Sequence, residues 1–385
     1  MPKVTNVSDI SAEDFPALLN FANESNVGLV IPGPEAPLVA GVVDFFAEHA
    51  PDIRCFGPSK AAARMEGSKT FSKDFMKKYN IPTAAYENFS SYEEASKYLD
   101  AVDHDVVIKA NGLAAGKGVM IPKTKQEAHA ALKEIMLDRE FGAAGDKVVI
   151  EEFLEGDEIS ILSFSDGHNI KSLPPAQDHK RIGDGDTGPN TGGMGTYAPT
   201  PAATQAQLEE IHRTTLEPTI NGMRQEGYQF VGCLFTGFMI TKKGPKVLEY
   251  NVRFGDPETQ SLLPLLKSDL AGIMMACTQN SLDKVELEIS KEHAATVVVA
   301  AGGYPGSYPK GTPMTLDKTP KGVYLFHAGT AIKNGQLQTS GGRVIAATST
   351  GATLKEAVAS AYEGVKCIQF EGMQFRKDIA ARALR

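Results

Sequence analysis

The chain has 385 residues, 42% of them hydrophobic and 22% charged, which is ordinary globular composition and long enough for about two or three domains. Its net charge of −8 comes without any basic block, which argues against nucleic acid as a partner. No apolar run reaches the ~18 residues of a membrane span and no signal-peptide pattern opens the chain, so no membrane partner and a cytoplasmic location are expected.

Residues 11–26 read as a helix capped by Ser11, with acidic residues in its first turn. A short apolar strand at 27–31 runs into Pro32-Gly33-Pro34-Glu35, a rigid turn at the strand end where open α/β sheets bind ligands. A helix at 38–49 and a strand at 53–56 follow. The result is a fragment of a doubly wound unit with only two strands. Residues 68–79 form a basic amphipathic helix with Phe71, Phe75 and Met76 on one face. It is expected to turn that face to the core and leave its lysines solvated. The four cysteines, Cys55, Cys233, Cys277 and Cys367, form no CxxC pair, which suggests a reducing compartment and no structural zinc.

The stretch VVIKANGLAAGKGVMI at 106–121 reads as strand, glycine-rich loop, strand. Gly112, Gly116 and Gly118 let the backbone turn tightly and approach a ligand. Lys117 among them can place a point charge on a phosphate. A Walker A loop is excluded by the Gly112–Gly116 spacing, by Gly118 in place of Ser or Thr, and by the strand that follows. A plain hairpin turn with a solvated lysine is the other reading. Helices at 91–99 and 125–137 and a strand at 147–150 complete a small α/β block.

Residues 151–160 then offer a linker whose backbone can meet an adenine edge, with Glu158 in reach of ribose hydroxyls; on composition alone an acidic surface turn fits better. Residues 174–199 have no apolar periodicity and read as a long functional loop containing Asp178, Lys180, Arg181 and Asn190. A helix at 205–226 and strands at 232–240 and 246–250 follow. The last strand leads into Glu249, Asn251 and Arg253, which alternation puts on one face. A carboxylate and an amide oxygen two residues apart are hard ligands suited to Mg²⁺, and Arg253 beside them can stabilise a transferring phosphoryl group. Residues 294–385 read as a C-terminal α/β piece with strands at 296–301 and 344–347 and a helix near 353–367. The histidines show no ligand spacing and are taken as structural.

Taken together, PGPEAPLV (32–39), FGPSKAAARMEGSKTFSKDFM (56–76), KANGLAAGKGV (109–119), VVIEEFLEGDEIS (148–160), PPAQDHKR (174–181), GPNTGGMG (188–195), LEYNVRFGDPETQ (248–260) and GGR (341–343) resemble the phosphoribosylamine–glycine ligase family of the ATP-grasp superfamily over nearly the whole chain. The resemblance implies an α/β ATP-grasp fold. It divides the chain into a partial N-terminal doubly wound substrate domain at 1–62, an ATP-grasp domain at 63–292 with a lid at about 83–152, and a C-terminal α/β domain at 293–385. It implies a C–N ligase of purine biosynthesis that joins glycine to 5-phosphoribosylamine through a glycyl phosphate, with ATP as co-substrate and Mg²⁺ or Mn²⁺ as cofactor. Another ATP-grasp carboxylate–amine ligase, or a nucleotide-binding remnant, is the alternative.

On the same resemblance Lys109, Gly116 and Lys117 meet the ATP phosphates. Glu151, Glu152, Phe153 and Leu154 line the adenine, Glu158 holds the ribose, and Arg181 and Asn190 close the nucleotide side. Glu249 and Asn251 carry the metal. Arg253, Lys117 and Asp256 are the catalytic choices, and Glu35, Asp178, Asp256 and Arg343 take phosphoribosylamine. Asn111 stands where relatives often have Asp or Ser. The family's opening strand and glycine-rich loop have no counterpart here, so the chain is expected to begin after that point and to use phosphoribosylamine poorly. Association or fusion with other purine-pathway enzymes is also implied.

Overall fold

The computed structural model describes residues 4–113 and 118–384. Its first helix, Phe15–Glu24, starts later than the sequence suggests. Pro16 has no N–H to leave unsatisfied in the first turn, and the Asp14 carboxylate accepts from Ala17 N–H at 3.1 Å, so Asp14 rather than Ser11 is the cap. The helix expected at 38–49 is two helices, Glu35–Ala40 and Val42–His49, broken at Gly41, whose φ of +103° a side chain would resist. Strands β1 (Leu29–Val30) and β2 (Arg54–Cys55) pair in parallel over two residues each. So short a sheet has no core of its own. Leu38, Val42 and Phe46 pack instead into one cluster with Met76, Ile161 and Phe238.

The next block is an antiparallel sheet of β3 (Tyr86–Phe89), β4 (Val106–Ala110), β5 (Val119–Met120) and β6 (Val148–Glu152), in the order β3-β6-β4-β5. Helices Tyr92–Ala101 and Lys125–Met136 cover it, capped by Ser91 and Thr124. It has a separate small core that includes Leu99, Ile108, Leu132 and Ile150. The chain then enters β7 (Asp157–Asp166) and β8 (Ile170–Ser172).

Residues 174–199, expected to be irregular, contain β9 (Gln177–Asp178), β10 (Arg181–Gly183), β11 (Thr187–Asn190) and β12 (Gly195–Ala198). Strands of two to four residues rich in Gly and Pro carry no hydrophobic alternation to read. β10 and β11 form a hairpin whose tip places Gly185 at φ +67° and Asp186 at φ +56°. The helix at 205–226 is continuous but has a wide turn at His212–Leu216, just before Pro218, which cannot donate into the helical ladder.

β13 (Val231–Thr241) and β14 (Gly244–Asn251) complete the central sheet in the order β14-β13-β7-β8. Gly237 pairs with Glu249 but Phe238 pairs with Val247, so Leu248 is an extra residue bulged out of β14. After β15 (His293–Ala300) come β16 (Met314–Leu316), β17 (Val323–His327), β18 (Thr330–Lys333), β19 (Gln336–Thr339) and β20 (Arg343–Gly351). The C-terminal sheet runs β17-β20-β15-β12-β9, so two of its five strands come from the 174–199 segment. Helix Leu354–Lys366, opened by a Thr353–Glu356 capping box, packs over it. No helix among the described residues is long and apolar enough to cross a membrane.

Candidate active site

Between the small four-stranded block and the central sheet lies a cleft of about 1200 Å³. Its floor is the end of β14. Glu249, Asn251 and Arg253 all face it, as strand alternation requires for the first two. The bulge at Leu248 leaves that residue's carbonyl free to accept from Lys109 Nζ at 3.1 Å. Lys109 Nζ also lies 3.0 Å from Glu151 Oε1, and Lys73 Nζ lies 2.9 Å from Glu151 Oε2. Lys73 in turn donates to Thr83 Oγ1 at 2.7 Å, and Thr83 donates to the Val247 carbonyl at 2.7 Å.

Lys73 and Glu151 are each only 2% exposed, so the expectation of a helix with solvated lysines fails at this position. Lys69 and Lys73 stand four residues apart on helix Lys69–Lys78, and both line the cleft. That spacing was the available signal, and the aromatic stripe obscured it. Burial lowers the ammonium pKa of both; Lys73 comes down to about 8 even with Glu151 opposing the shift.

A second cation, Lys180, donates to Glu158 and sits 3.7 Å from Glu249. Burial disfavours its charge, but Glu158 and Glu249 outweigh burial and hold it above the ordinary lysine value. Burial likewise opposes ionisation of Glu249, and Lys180, Lys109, Lys69 and Arg253 together hold it below the ordinary carboxylate range. Glu249 therefore presents an ionised carboxylate to the cleft. Glu258 and Asp178 behave in the opposite way. Burial raises both, and Glu258 raises Asp178 further, so this carboxylate pair favours holding a proton.

The residues grouped by sequence for phosphoribosylamine divide between two arginines. Arg253 Nε is 3.2 Å from Glu35, and its Nη2 is 3.2 Å from Glu66. Glu66 also accepts from Val252 N–H at 2.7 Å and is 8% exposed, a buried support for Arg253 that sequence reasoning missed. Burial lifts the Glu66 carboxyl to about 7, against the pull of Arg253. Arg343 instead meets Asp256 at 3.3 Å and donates to the carbonyls of Asp256 and Gly192 at 2.7 and 2.9 Å. A side chain at Gly193 has no room: a Cβ there would come within 2.4 Å of Pro257 and 2.7 Å of Asp178.

On the linker, the Glu152 N–H donates to Ala85 and the Phe153 N–H to Asp105, both at 2.9 Å. The Glu152 carboxylate holds Lys246 at 2.7 Å. Leu154 and Gly156 N–H have no partner among the described residues, and both residues line the cleft together with Val107, Met239 and Leu248. Arg181 and Asn190 pair across the β10–β11 hairpin and line the cleft, as do Asp178, Glu158 and His327. Gly116 and Lys117 lie outside the described residues.

Among the described residues no group of three or more His, Cys, Asp or Glu side chains is placed to hold a metal ion. Glu249 and Asn251 supply one ionised and one neutral hard oxygen on one face, which suits a cation that completes its shell from phosphate and water.

A nucleotide-sized cleft between two antiparallel four-stranded sheets, with a strand lysine in its roof and a carboxylate–amide–arginine series in its floor, defines an ATP-grasp protein. Solved structures agree on the fold. A biotin carboxylase domain from Hydrogenobacter thermophilus superimposes with a TM-score of 0.74 at 16% identity, over 96% of this chain and 81% of its own. Phosphoribosylamine–glycine ligase from Thermotoga maritima superimposes with a TM-score of 0.79 at 38% identity, over 87% of this chain and 83% of its own.

Family models for phosphoribosylglycinamide synthetase match in three consecutive pieces: the N domain at residues 1–66, the ATP-grasp (A) domain at 67–259 and the C domain at 294–382. Phosphoribosylamine–glycine ligase of Agrobacterium fabrum is 49% identical over 97% of this chain and 88% of its own length. A bifunctional purine biosynthetic protein of Pichia angusta is 59% identical over 100% of this chain, which spans 49% of that protein. The chain belongs to the phosphoribosylamine–glycine ligase family of purine-biosynthetic, C–N bond-forming ATP-grasp enzymes.

Proposed function

We propose that the chain joins glycine to 5-phosphoribosylamine at the expense of ATP, giving glycinamide ribonucleotide, ADP and phosphate. The observation that carries this reading is the convergence of Glu249, Asn251 and Arg253 with the cations Lys69, Lys109 and Lys180 in one cleft. The adenine sits beside Leu154, with Glu158 at the ribose and the Lys109 side at the phosphates. Glu249 and Asn251 would hold a divalent cation, Mg²⁺ or Mn²⁺, which when bound would supply positive charge to the phosphate oxygens. The glycine carboxylate attacks the γ-phosphorus, and Arg253 stabilises the charge on the transferring group. The amine of phosphoribosylamine then attacks the glycyl phosphate carbonyl and expels phosphate. Asp178 and Glu258 share the seat for the proton that the amine loses, while Arg343, tethered by Asp256, faces the sugar phosphate.

In this reading residues 1–62, 63–292 and 293–385 act as acceptor-side, nucleotide and closing domains, with 83–152 as the lid. The test is ADP release by the purified chain. Turnover should need glycine, phosphoribosylamine and a divalent cation together, and mass spectrometry should find glycinamide ribonucleotide. Equal ADP release without phosphoribosylamine, or with another amine in its place, would overturn the assignment.

A further inference from the structure

The β10–β11 hairpin, which carries Arg181 and Asn190 into the cleft, does not hold its own position. Its tip is fastened from behind by a single buried side chain. Arg376 is 1% exposed and is not part of the cleft wall. Its Nε and Nη2 donate to the two oxygens of Asp378 at 2.8 and 2.7 Å. Its Nη1 donates to Asp186 at the hairpin tip at 2.8 Å and to the carbonyl of Arg181 at 3.2 Å. Backbone contacts repeat the link in both directions. Gly185 N–H donates to Asp378 and Lys377 N–H donates to Asp184, each at 2.8 Å.

The far end is fixed as well. The Arg376 carbonyl accepts from Tyr362 Oη at 2.8 Å, which ties it to the long C-terminal helix. Ala380 N–H donates to His179 Nε2 at 3.1 Å, so that nitrogen is unprotonated and Nδ1 carries the proton toward the Gly195 carbonyl at 3.0 Å. A bidentate guanidinium in a dry site is well defined in direction, and a lysine could not satisfy both carboxylates and the carbonyl at once.

We propose that Arg376 is a positioning residue for nucleotide binding: through Asp186 and the Arg181 carbonyl it sets where the β10–β11 hairpin stands over the cleft. Arg376 thereby controls ATP affinity without touching ATP, whereas Arg382, 3.5 Å from the other oxygen of Asp186, lines the cleft itself. This rests on the reading above only in taking the hairpin as the nucleotide-side wall.

The test uses the full chain and Mg-ATP binding by titration calorimetry, with neither glycine nor phosphoribosylamine present. Arg376→Lys should weaken Mg-ATP by about tenfold, the cost of losing charge-assisted hydrogen bonds. The KM for glycine should stay unchanged, because Arg253 and Glu249 are untouched. Asp186→Asn, at a half-exposed site where folding is safer, should weaken Mg-ATP by about threefold, and the two changes together should fall short of the product of their effects because they share one contact. Equal Mg-ATP affinity in wild type and both variants would overturn the positioning role, even if the variants melt at lower temperature. Multiplicative effects of the two changes would also overturn it. A wild type that binds Mg-ATP but does not ligate would sink the substrate assignment and leave the positioning role standing. A wild type that does not bind Mg-ATP would sink both.

Discussion

The two walls of the cleft are built on different principles. The β3-β6-β4-β5 block has its own small core and meets its neighbours through polar contacts: Lys109 on the Leu248 carbonyl and Glu152 on Lys246 at β14, and Glu151 on Lys73 of helix Lys69–Lys78. The opposite wall, from Asp178 to Ala198, is woven into the C-terminal sheet by four consecutive β12–β15 pairs and is pinned by Arg376 and His179. A wall with its own core, tied by a few polar contacts, suits the lid role proposed for it. A wall inside a sheet does not, and it is the one that carries Asp178 and frames Arg343. In the proposed function the difference puts adaptation in the lid and geometric precision in the woven wall, which carries the nucleotide-side hairpin as well as the acceptor-side residues.

The floor belongs to neither wall, and it should show the largest effect. Glu249→Gln removes the only charge in the Glu249–Asn251 pair, so turnover should fall by about a thousandfold while the melting temperature stays near that of wild type. An active variant at ordinary Mg²⁺ would show that the cation is held elsewhere.

Next comes the hinged wall. Glu151→Gln leaves Lys73 and Lys109 without a buried counter-charge and should cost about 3 kcal/mol. Hydrogen exchange should quicken within 83–152 and remain protected in β12 and β15. Uniform loosening of both regions would erase the contrast between the walls.

On the woven wall, Gly193→Ala forces a side chain at φ +117° against Pro257 and Asp178 and should cost about 2 kcal/mol. Phosphoribosylamine should bind less well and Mg-ATP nearly as before. Loss of both affinities in equal measure would mean that the walls are coupled.

The smallest effect is in pH. Burial holds the His179 imidazole down to about 4, from an ordinary value of 6.5. The folded state therefore binds fewer protons than the unfolded chain between those values, and stability is lost as pH falls through that window. His179→Gln should flatten this part of the melting-temperature profile, and an unchanged slope would assign it to other groups.

The floor was legible in the sequence because alternation along one strand is a local rule, and Glu249, Asn251 and Arg253 needed nothing distant to be recognised. The strands that flank the glycine-rich loop, β4 and β5, were legible for the same reason. Lys73 and Glu66 were not. Each lies on a helix face that looks ordinary until the partner, Glu151 or Arg253, arrives from far along the chain. The strands in 174–199 were hidden because β12 finds its partner β15 far along the chain, and short segments of glycine, proline and polar residues give no sign of pairing.

That late partnership has a consequence for synthesis. Gly195 pairs with Val297, about a hundred residues further on, and at the ~5–20 residues per second of a ribosome the acceptor-side wall waits some ~5–20 s for its neighbour to emerge. During that interval β12 can pair with β9 on one edge but presents unpaired backbone on the other. The hinged lid, made of strands within one stretch of about seventy residues, can fold while the rest is still being translated. Slowing elongation between residues 200 and 300 should therefore lengthen the exposure of a nascent chain whose nucleotide lid is finished and whose acceptor side is not, and demand for chaperones should rise at that stage of translation.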